Sequence, residues 1–456
     1  MVSGDQIVII GAGPAGMEAA MTLVKSGLRP IVIDAGARSG GQIYRRPPEA
    51  HTRCYKEIYG ADAAKARHLH DAFDEVCDTI DYRPNTRVWA VHNATLFLED
   101  PDGHQTQTYD KLILCSGATD LVFPIPGWET PGCYSLGGAQ ISLKSQALAL
   151  GDPIGFAGAG PLLWLVAWQH LKAGAEVAGV WCTASLKNLA FALPWLALRP
   201  RLALRGVRQI FALWRAGVPI QFGARSLLVT ADGDDHVTGL QWSNGRKTTD
   251  TPLQALALGW HLRSETQLSQ LLNVPGRPGQ SRPMTDEKGR SPVHGIYLAG
   301  DGVEILGADA AATGGRIAAS ALLADMGCKQ TGMTALRSVL DRLNHARMRV
   351  FAKGLARAFP PPDSDHYRAV PETTVVCRCE NVSLATVRAA ADNWRCQDIN
   401  RIKALTRAGM GRCQGRYCGA ALTAIVAAET GRATSEIPDH RAQAPVYPLS
   451  ITAKDH

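Results

Sequence analysis

The sequence predicts an α/β fold: two parallel-sheet domains of the dinucleotide-binding type, followed by a small helical domain at the C-terminus. Three observations predict it. A glycine-rich strand–turn–helix opens the chain, a second begins near Gly158, and five of the eleven cysteines crowd into residues 377–418. At roughly 150 residues per domain, 456 residues suggest about three domains. A composition that is 46% hydrophobic and 20% charged is ordinary globular usage and excludes wholesale disorder, collagen and coiled coil. The 48 Lys and Arg against 41 Asp and Glu leave a net charge of +7, well short of a nucleic-acid-binding balance, so no nucleic-acid partner is expected.

The first motif justifies the first domain. Residues 6–10 form a short apolar strand, Gly11-Ala-Gly13-Pro14-Ala15-Gly16 turns into an Ala- and Met-rich helix, and Ile31-Val-Ile33 is a second strand ending in Asp34. The first glycine makes the turn, the second lets backbone approach a pyrophosphate, and the third lets helix pack on strand. The phosphates then sit on unpaired N–H groups at the helix N-terminus. Asp34, 18 residues after Gly16, stands where an acid can hold the adenosine ribose hydroxyls. The alternative is a glycine turn in an unrelated α/β unit, but strand, helix, second strand and acid are all in place.

Two later strands specify the dinucleotide. Tyr109 to Gly117 ends in Ser116-Gly117, and Gly295 to Asp301 ends in Gly300-Asp301. Both resemble the further signatures of the two-dinucleotide-domain flavoprotein reductases, the glutathione-reductase-like superfamily, and that resemblance implies FAD with Asp301 on its ribityl chain. The second glycine motif, Gly158-Ala-Gly160-Pro-Leu-Leu163, leads into a helix over 162–173 and a strand from Glu176. In that superfamily it belongs to the NAD(P)H domain. Here Leu163 replaces the third glycine, and the strand ends in Val180-Trp181-Cys182 with neither an acid for a ribose diol nor an arginine for a 2′-phosphate. The fold is expected to persist, with NAD(P)H a doubtful ligand.

After Glu176 no acidic residue occurs until Asp232, while Lys187, Arg199, Arg201, Arg205, Arg208, Arg215 and Arg225 punctuate a Leu-, Ala- and Trp-rich helical stretch. Two readings stand: a basic amphipathic surface for a membrane interface or partner subunit, or an inserted helical pair whose arginines are simply solvated. The second is preferred. Residues 331–358 read as helix, with Leu336, Val339, Leu340 and Leu343 at helical spacing, and a Pro-rich linker follows Phe359. The longest nearly uncharged apolar run, Ile154 to Trp168, is too short and too broken by glycine and proline for a membrane span. The start lacks a signal-peptide pattern, so the chain is expected in the cytoplasm, free or peripheral at the inner membrane. HExxH, GxSxG and GxxxxGK[ST] are all missing. His68 and His70 sit in a polar helix and read as solvated.

The cysteine module comprises Cys377-Arg-Cys379 and Cys413-Gln-Gly-Arg-Tyr-Cys418, with 33 residues between the inner pair. Four thiolates from two loops can hold a zinc ion or an iron–sulfur cluster; the CxC pair is awkward for a zinc knuckle and suits a [2Fe–2S] rhomb. Zinc and free thiols remain the alternatives. Arg378, Arg412 and Arg416 would place positive charge around an anionic centre. Cys396 reads as a bystander, and the six cysteines before residue 330 as buried small hydrophobes.

Taken together, the Gly11 to Gly16 motif, the Gly40-Gly41-Gln42-Ile-Tyr-Arg45 segment, the weakened second glycine motif, the arginine-rich insert and a bacterioferritin-associated-ferredoxin-like cysteine module resemble one family. It is the FAD and iron–sulfur α subunit of bacterial opine oxidase, D-hydroxyproline dehydrogenase and hydrogen cyanide synthase complexes. The resemblance covers essentially the whole chain. It implies an FAD-binding domain over 1–125 and 256–330, an NAD(P)H-like domain over 126–255 with the basic insert at 183–217, helix and linker at 331–369, and a [2Fe–2S] domain over 370–456. It implies Gly11, Gly13, Pro14, Ala15 and Gly16 at the FAD pyrophosphate, and Asp34 with Ala35 at the adenosine ribose. Gly41, Gln42 and Val88 line the cofactor, Ser116 and Gly117 close over it, and Gly300 and Asp301 hold the ribityl side. Cys377, Cys379, Cys413 and Cys418 bind the cluster. It further implies a hetero-oligomer: an FAD-containing β subunit, with or without a small γ subunit, oxidises an amino acid, imino acid or opine at its C–N bond, and this chain passes electrons to an external acceptor. No general acid or base is assigned. A stand-alone NAD(P)H reductase and a redox-sensing binding module are the rival readings. Asp34 stands where many relatives carry Glu, and CxxxxC replaces the CxxC of the small ferredoxin module, which leaves open which cysteine completes the set.

Overall fold

A computed structural model describes residues 5–49, 53–234, 236–277, 280–328, 332–362, 364–393 and 398–450. The chain divides into two compact units, one of residues 1–118, 263–349 and 441–456, the other of 119–262 and 350–440.

The first unit is built on a five-stranded parallel sheet in the order Ile296–Leu298, Lys111–Leu114, Ile7–Ile10, Ile31–Ile33 and Asp81–Arg83. Parallel strands are covered on both faces and therefore read as unbroken apolar runs; Ile7 to Ile10 are all buried. The helices Pro14–Val24 and Ala308–Asp325 pack tightly against each other because both present small residues. A Cβ at Gly315 would drive into the Ala15 carbonyl. Arg316 ties them further through Glu18 at 3.0 Å, and it also pairs with Asp341 of the helix Gly332–Ala358 at 2.9 Å. A three-stranded antiparallel meander over 87–108 completes the unit. The segment 441–450 also belongs here: Val446 is fully buried and its N–H donates to the Trp89 carbonyl.

The second unit repeats the plan. Its parallel sheet runs Ile220–Phe222, Val177–Cys182, Ile154–Ala159, Ala255–Trp260 and Cys133–Ser135, with an antiparallel meander over 225–252. Both central strands are buried along their whole length. The same core continues into residues 358–437, where the strands Val375–Cys377 and Val382–Ser383 and the helices Leu384–Asn393, Ile399–Thr406 and Gly419–Thr430 frame the cysteines, Cys377 ending the first strand and Cys379, Cys413 and Cys418 lying in turns. Trp128 Nε1 donates to the Val375 carbonyl at 2.5 Å, and Phe123 meets Tyr367 with ring centroids 6.1 Å apart. The expected linker is thus partly built into the core, with Phe359 and Tyr367 buried.

The helices expected over 162–173 and 331–358 are present as Pro161–Lys172 and Gly332–Ala358. The apolar stripe of the long helix differs from a core stripe, since Val339, Leu340 and Leu343 are exposed; the Leu336 side chain and Cys396 lie outside the described residues. The basic insert folds as two helices, Leu186–Leu196 and Pro200–Arg215. His70 is fully buried rather than solvated. Its helix, Ala63–Asp74, has a polar sequence, but Nε2 donates to the Tyr44 carbonyl at 3.0 Å and Nδ1 accepts from Tyr55 Oη at 2.9 Å.

Candidate functional site

The first glycine loop leaves the central strand at Ile10 and enters the helix at Pro14, whose missing N–H costs nothing in a first turn. Gly11 has φ +99°, and a Cβ there would strike the Cys115 carbonyl; one at Gly16 would strike the Gly11 carbonyl. Gly41, at φ +62°, meets Gly13 backbone to backbone: a Cβ on Gly41 would lie 2.8 Å from Gly13 Cα. These close approaches are what a backbone cradle for a pyrophosphate requires. Gly11 and Gly13 keep part of their surface exposed, while Pro14, Ala15 and Gly16 are buried beneath them.

Asp34, half-buried at the end of the second strand, accepts from the N–H groups of Ala12 and Gly36. Burial raises its carboxyl above the ordinary range, against the lowering effect of those donors and of Arg45. Arg45 in turn donates to Gln42 Oε1 at 2.7 Å, joining the Gly-Gly-Gln segment to the same neighbourhood. Ser116 Oγ donates to the Glu265 carbonyl at 2.7 Å and crowds Gly302. Gly300, at φ +74°, abuts Ala15, and Asp301 accepts from Leu306 N–H at 3.2 Å and Gly307 N–H at 3.4 Å. Burial raises the Asp301 carboxyl too. The structure thus links residues 11–16, 41 and 300 by direct packing, with Asp301 next in the chain. Val88 is a core residue of the meander strand Arg87–His92, Ala35 is exposed, and Gly117 follows Ser116 with φ +72°. An open glycine cradle beside an acid that already accepts backbone N–H groups fits a dinucleotide.

The second glycine loop is closed. Gly158, Ala159 and Gly160 are all buried. A Cβ at Gly160 would lie 3.3 Å from His261 Nδ1, and one at Gly158 would strike the Gly259 backbone. Burial lowers the His261 imidazole below its ordinary pKa, and its Nε2–H donates to the Phe359 carbonyl at 2.6 Å. His261, held by the Phe359 carbonyl, therefore packs against Gly160 of this loop. Leu163, fully buried, packs where a third glycine would leave space.

The four cysteines of the module line one cavity of about 450 Å³ with Trp128, Tyr134, Arg378, Arg412 and Tyr417. The thiols meet across the loops, Cys377 with Cys418 and Cys379 with Cys413, rather than within the CxC pair. Hydrogen bonding from Cys418 holds Cys377 down to about 6, and bonding from Cys413 holds Cys379 down to about 5, while each partner is raised by the same bond. Each pair therefore behaves as a unit that gives up one proton easily and keeps the other. Backbone N–H groups also point at the sulfurs, with Gly409 on Cys377 at 3.5 Å and Cys413 on Cys379. Arg412 bonds the Cys379 sulfur; Arg378 lies over the Trp128 ring at 5.0 Å; Arg416 donates to the Cys413 carbonyl. Among the described residues, no group of three or more His, Cys, Asp or Glu side chains stands together as a one-ion site. Two thiol pairs ringed by N–H donors and arginines fit an anionic two-iron cluster.

Trp128 and Tyr134 of this cavity escaped sequence reasoning, since they stand more than 240 residues from Cys377 with no motif to join them. Of the six earlier cysteines only Cys115, Cys133 and Cys182 are buried; Cys77 and Cys328 are partly exposed and Cys54 is exposed. Burial pushes the three inner thiols up to about 12, so they are inert small hydrophobes.

Comparison with known proteins decides the family. The pyridine nucleotide-disulphide oxidoreductase family matches residues 5–321, and the BFD-like [2Fe-2S] binding domain matches 375–428. The chain belongs to the pyridine nucleotide-disulphide oxidoreductase family. It is 33% identical to an opine oxidase subunit of Rhizobium meliloti, over 98% of this chain and 86% of that one. It is 32% identical to hydrogen cyanide synthase subunit HcnB of Pseudomonas aeruginosa, over 98% and 97%. Among solved structures it is similar to L-proline dehydrogenase from P. horikoshii, with TM-score 0.68 and 19% identity over 98% of this chain and 78% of that one, a likeness of fold alone. This pyridine nucleotide-disulphide oxidoreductase is an FAD-dependent oxidoreductase whose cofactors are FAD and a [2Fe–2S] cluster, with NAD(P)H doubtful.

Proposed function

We propose that this chain is the electron-relaying subunit of a hetero-oligomeric dehydrogenase. A partner β subunit with its own FAD oxidises an amino acid, imino acid or opine at its C–N bond, and electrons then pass through this chain to an external acceptor. The observation that carries the reading is the contrast between the two glycine loops: Gly11 and Gly13 of the first stay partly exposed, while Gly158 to Gly160 of the second are buried with His261 packed against Gly160. A chain with a flavin cradle and a cluster cavity, but a closed nicotinamide loop, needs another source of electrons. Its full-length similarity to opine oxidase and hydrogen cyanide synthase subunits supports that source being a partner polypeptide.

When bound, FAD exchanges electrons in pairs and a [2Fe–2S] cluster one at a time, so together they part an electron pair from its donor. The protein's own contribution is positioning and electrostatics. In this proposal Gly11, Gly13, Pro14, Ala15 and Gly16 form the cradle at the pyrophosphate, with the unpaired N–H groups of the helix N-terminus turned towards it, and Asp34 with Ala35 holds the adenosine ribose. Gly41, Gln42 and Val88 line the pocket, Ser116 and Gly117 border it, and Gly300 and Asp301 take the ribityl side. Cys377, Cys379, Cys413 and Cys418 hold the iron, with Arg412 and the loop N–H groups stabilising added negative charge and so raising the reduction potential.

The test is anaerobic reduction of the flavin by a panel of amino acids, cyclic imino acids and opines, with and without the co-purifying subunit. Bleaching that needs both a C–N donor and the second subunit is expected. Turnover of such a donor by this chain alone would overturn the proposal.

A further inference from the structure

The helical insert exposes apolar surface that the fold leaves uncovered. On the helix Pro200–Arg215, Leu204, Val207, Phe211 and Trp214 recur at i, i+3, i+7 and i+10, one face of a 3.6-residue helix. All four are more than half exposed, Trp214 at 66%. The preceding helix, Leu186–Leu196, adds Leu186, Phe191 and Leu193, each exposed by more than 60%. These helices are nonetheless anchored. Leu213 and Gln209 face inward and are buried, and Trp195 is held beneath Arg357 at 4.5 Å. The outward face is therefore a built feature of a docked helix pair.

Charge says what covers it. Arg201, Arg205, Arg208 and Arg215 recur at i, i+4, i+7 and i+14, a row that flanks the apolar stripe along one side. No carboxylate occurs anywhere in residues 177–231. A protein interface is depleted of charge at its core and polar at its rim. An apolar stripe with Phe and Trp, flanked by cations of a single sign, matches a helix lying in the interface of a bilayer, with its apolar side chains among the acyl chains and its arginines at anionic headgroups. No helix among the described residues is long and apolar enough to cross a membrane.

We propose that the helix pair 186–215 docks this protein onto an anionic lipid surface. Leu204, Val207, Phe211 and Trp214 insert at the headgroup boundary, and the arginine row sets the preference for negative charge. The observations behind this surface are independent of which substrate or partner subunit the chain serves.

The experiment is flotation of the purified protein, with its cofactors and any co-purifying subunit, on vesicles of phosphatidylcholine alone or mixed with phosphatidylglycerol. Binding to the mixed vesicles only is expected, weakening in molar salt where screening is nearly complete, with a blue shift of tryptophan emission that the Trp214→Ser variant loses. Phe211→Asp with Trp214→Asp should abolish flotation while cofactor content stays unchanged. Each arginine of the row replaced by Gln should lower the partition coefficient about five-fold. Equal binding to neutral vesicles, no binding to anionic ones, or flotation unaltered by the double Asp variant would each overturn the proposal. So would loss of the second subunit from the double Asp variant with vesicle binding intact, which would assign the face to a protein partner.

Discussion

Exchanging sulfur for oxygen at Cys413 removes one member of the pair it forms with Cys379. Cys413→Ser should bring iron and acid-labile sulfide down to background while FAD stays bound, because the glycine cradle is built from other elements; unchanged iron by elemental analysis would contradict this. His70 gives a prediction in pH. Burial, followed by Arg46, pushes its imidazole down to about 4, against roughly 6.5 in an unfolded chain. Between those values the unfolded state binds more protons, so stability falls as pH drops through the window, by about 2–3 kcal/mol in all. His70→Gln should flatten that part of the profile in thermal melts from pH 7 to 4, and an unchanged slope would show that other groups carry it. Residues inside short motifs were legible in the sequence. His70 was not, because its partner is the Tyr44 carbonyl 26 residues away, and a polar helix gives no sign of a long-range backbone acceptor.

Among elements, the two helices beside the first glycine loop depend on small residues at their crossing. Gly315→Ala would place a methyl against the Ala15 carbonyl, which is backbone and cannot swing away. Overpacking of this kind costs about 1–3 kcal/mol, and because Ala15 belongs to the cradle, FAD affinity should fall about tenfold as well. A denaturation midpoint and FAD dissociation constant equal to wild type would refute the crossing as a support for the cradle. The glycine pattern and apolar strand runs announced the first of these helices, because strands and helix entries leave local signatures, whereas Ala308–Asp325 carries no motif and went unread. Closure of the second loop left none: His261 lies about 100 residues beyond Gly160, and only the fold brings it back over the turn. What the sequence did show was the missing acid after Val180, an independent reason for the same weakness.

At the scale of the whole molecule, repetition was the legible signal. Each unit pairs a five-stranded parallel sheet with a three-stranded meander, and each sheet opens on its own glycine turn. Composition marks a break at Phe359 to Pro362 but says nothing of what the residues beyond it pack against, since Trp128 to Val375 and Phe123 to Tyr367 are contacts of side-chain shape. Under the proposed function, electrons reach the flavin from another polypeptide and not from nicotinamide. The most direct measurement is anaerobic addition of NADH to the purified, cofactor-loaded protein while the flavin absorbance is followed. An unchanged flavin band with excess NADH, alongside full bleaching by dithionite, is the predicted result. Rapid bleaching at micromolar NADH would contradict it.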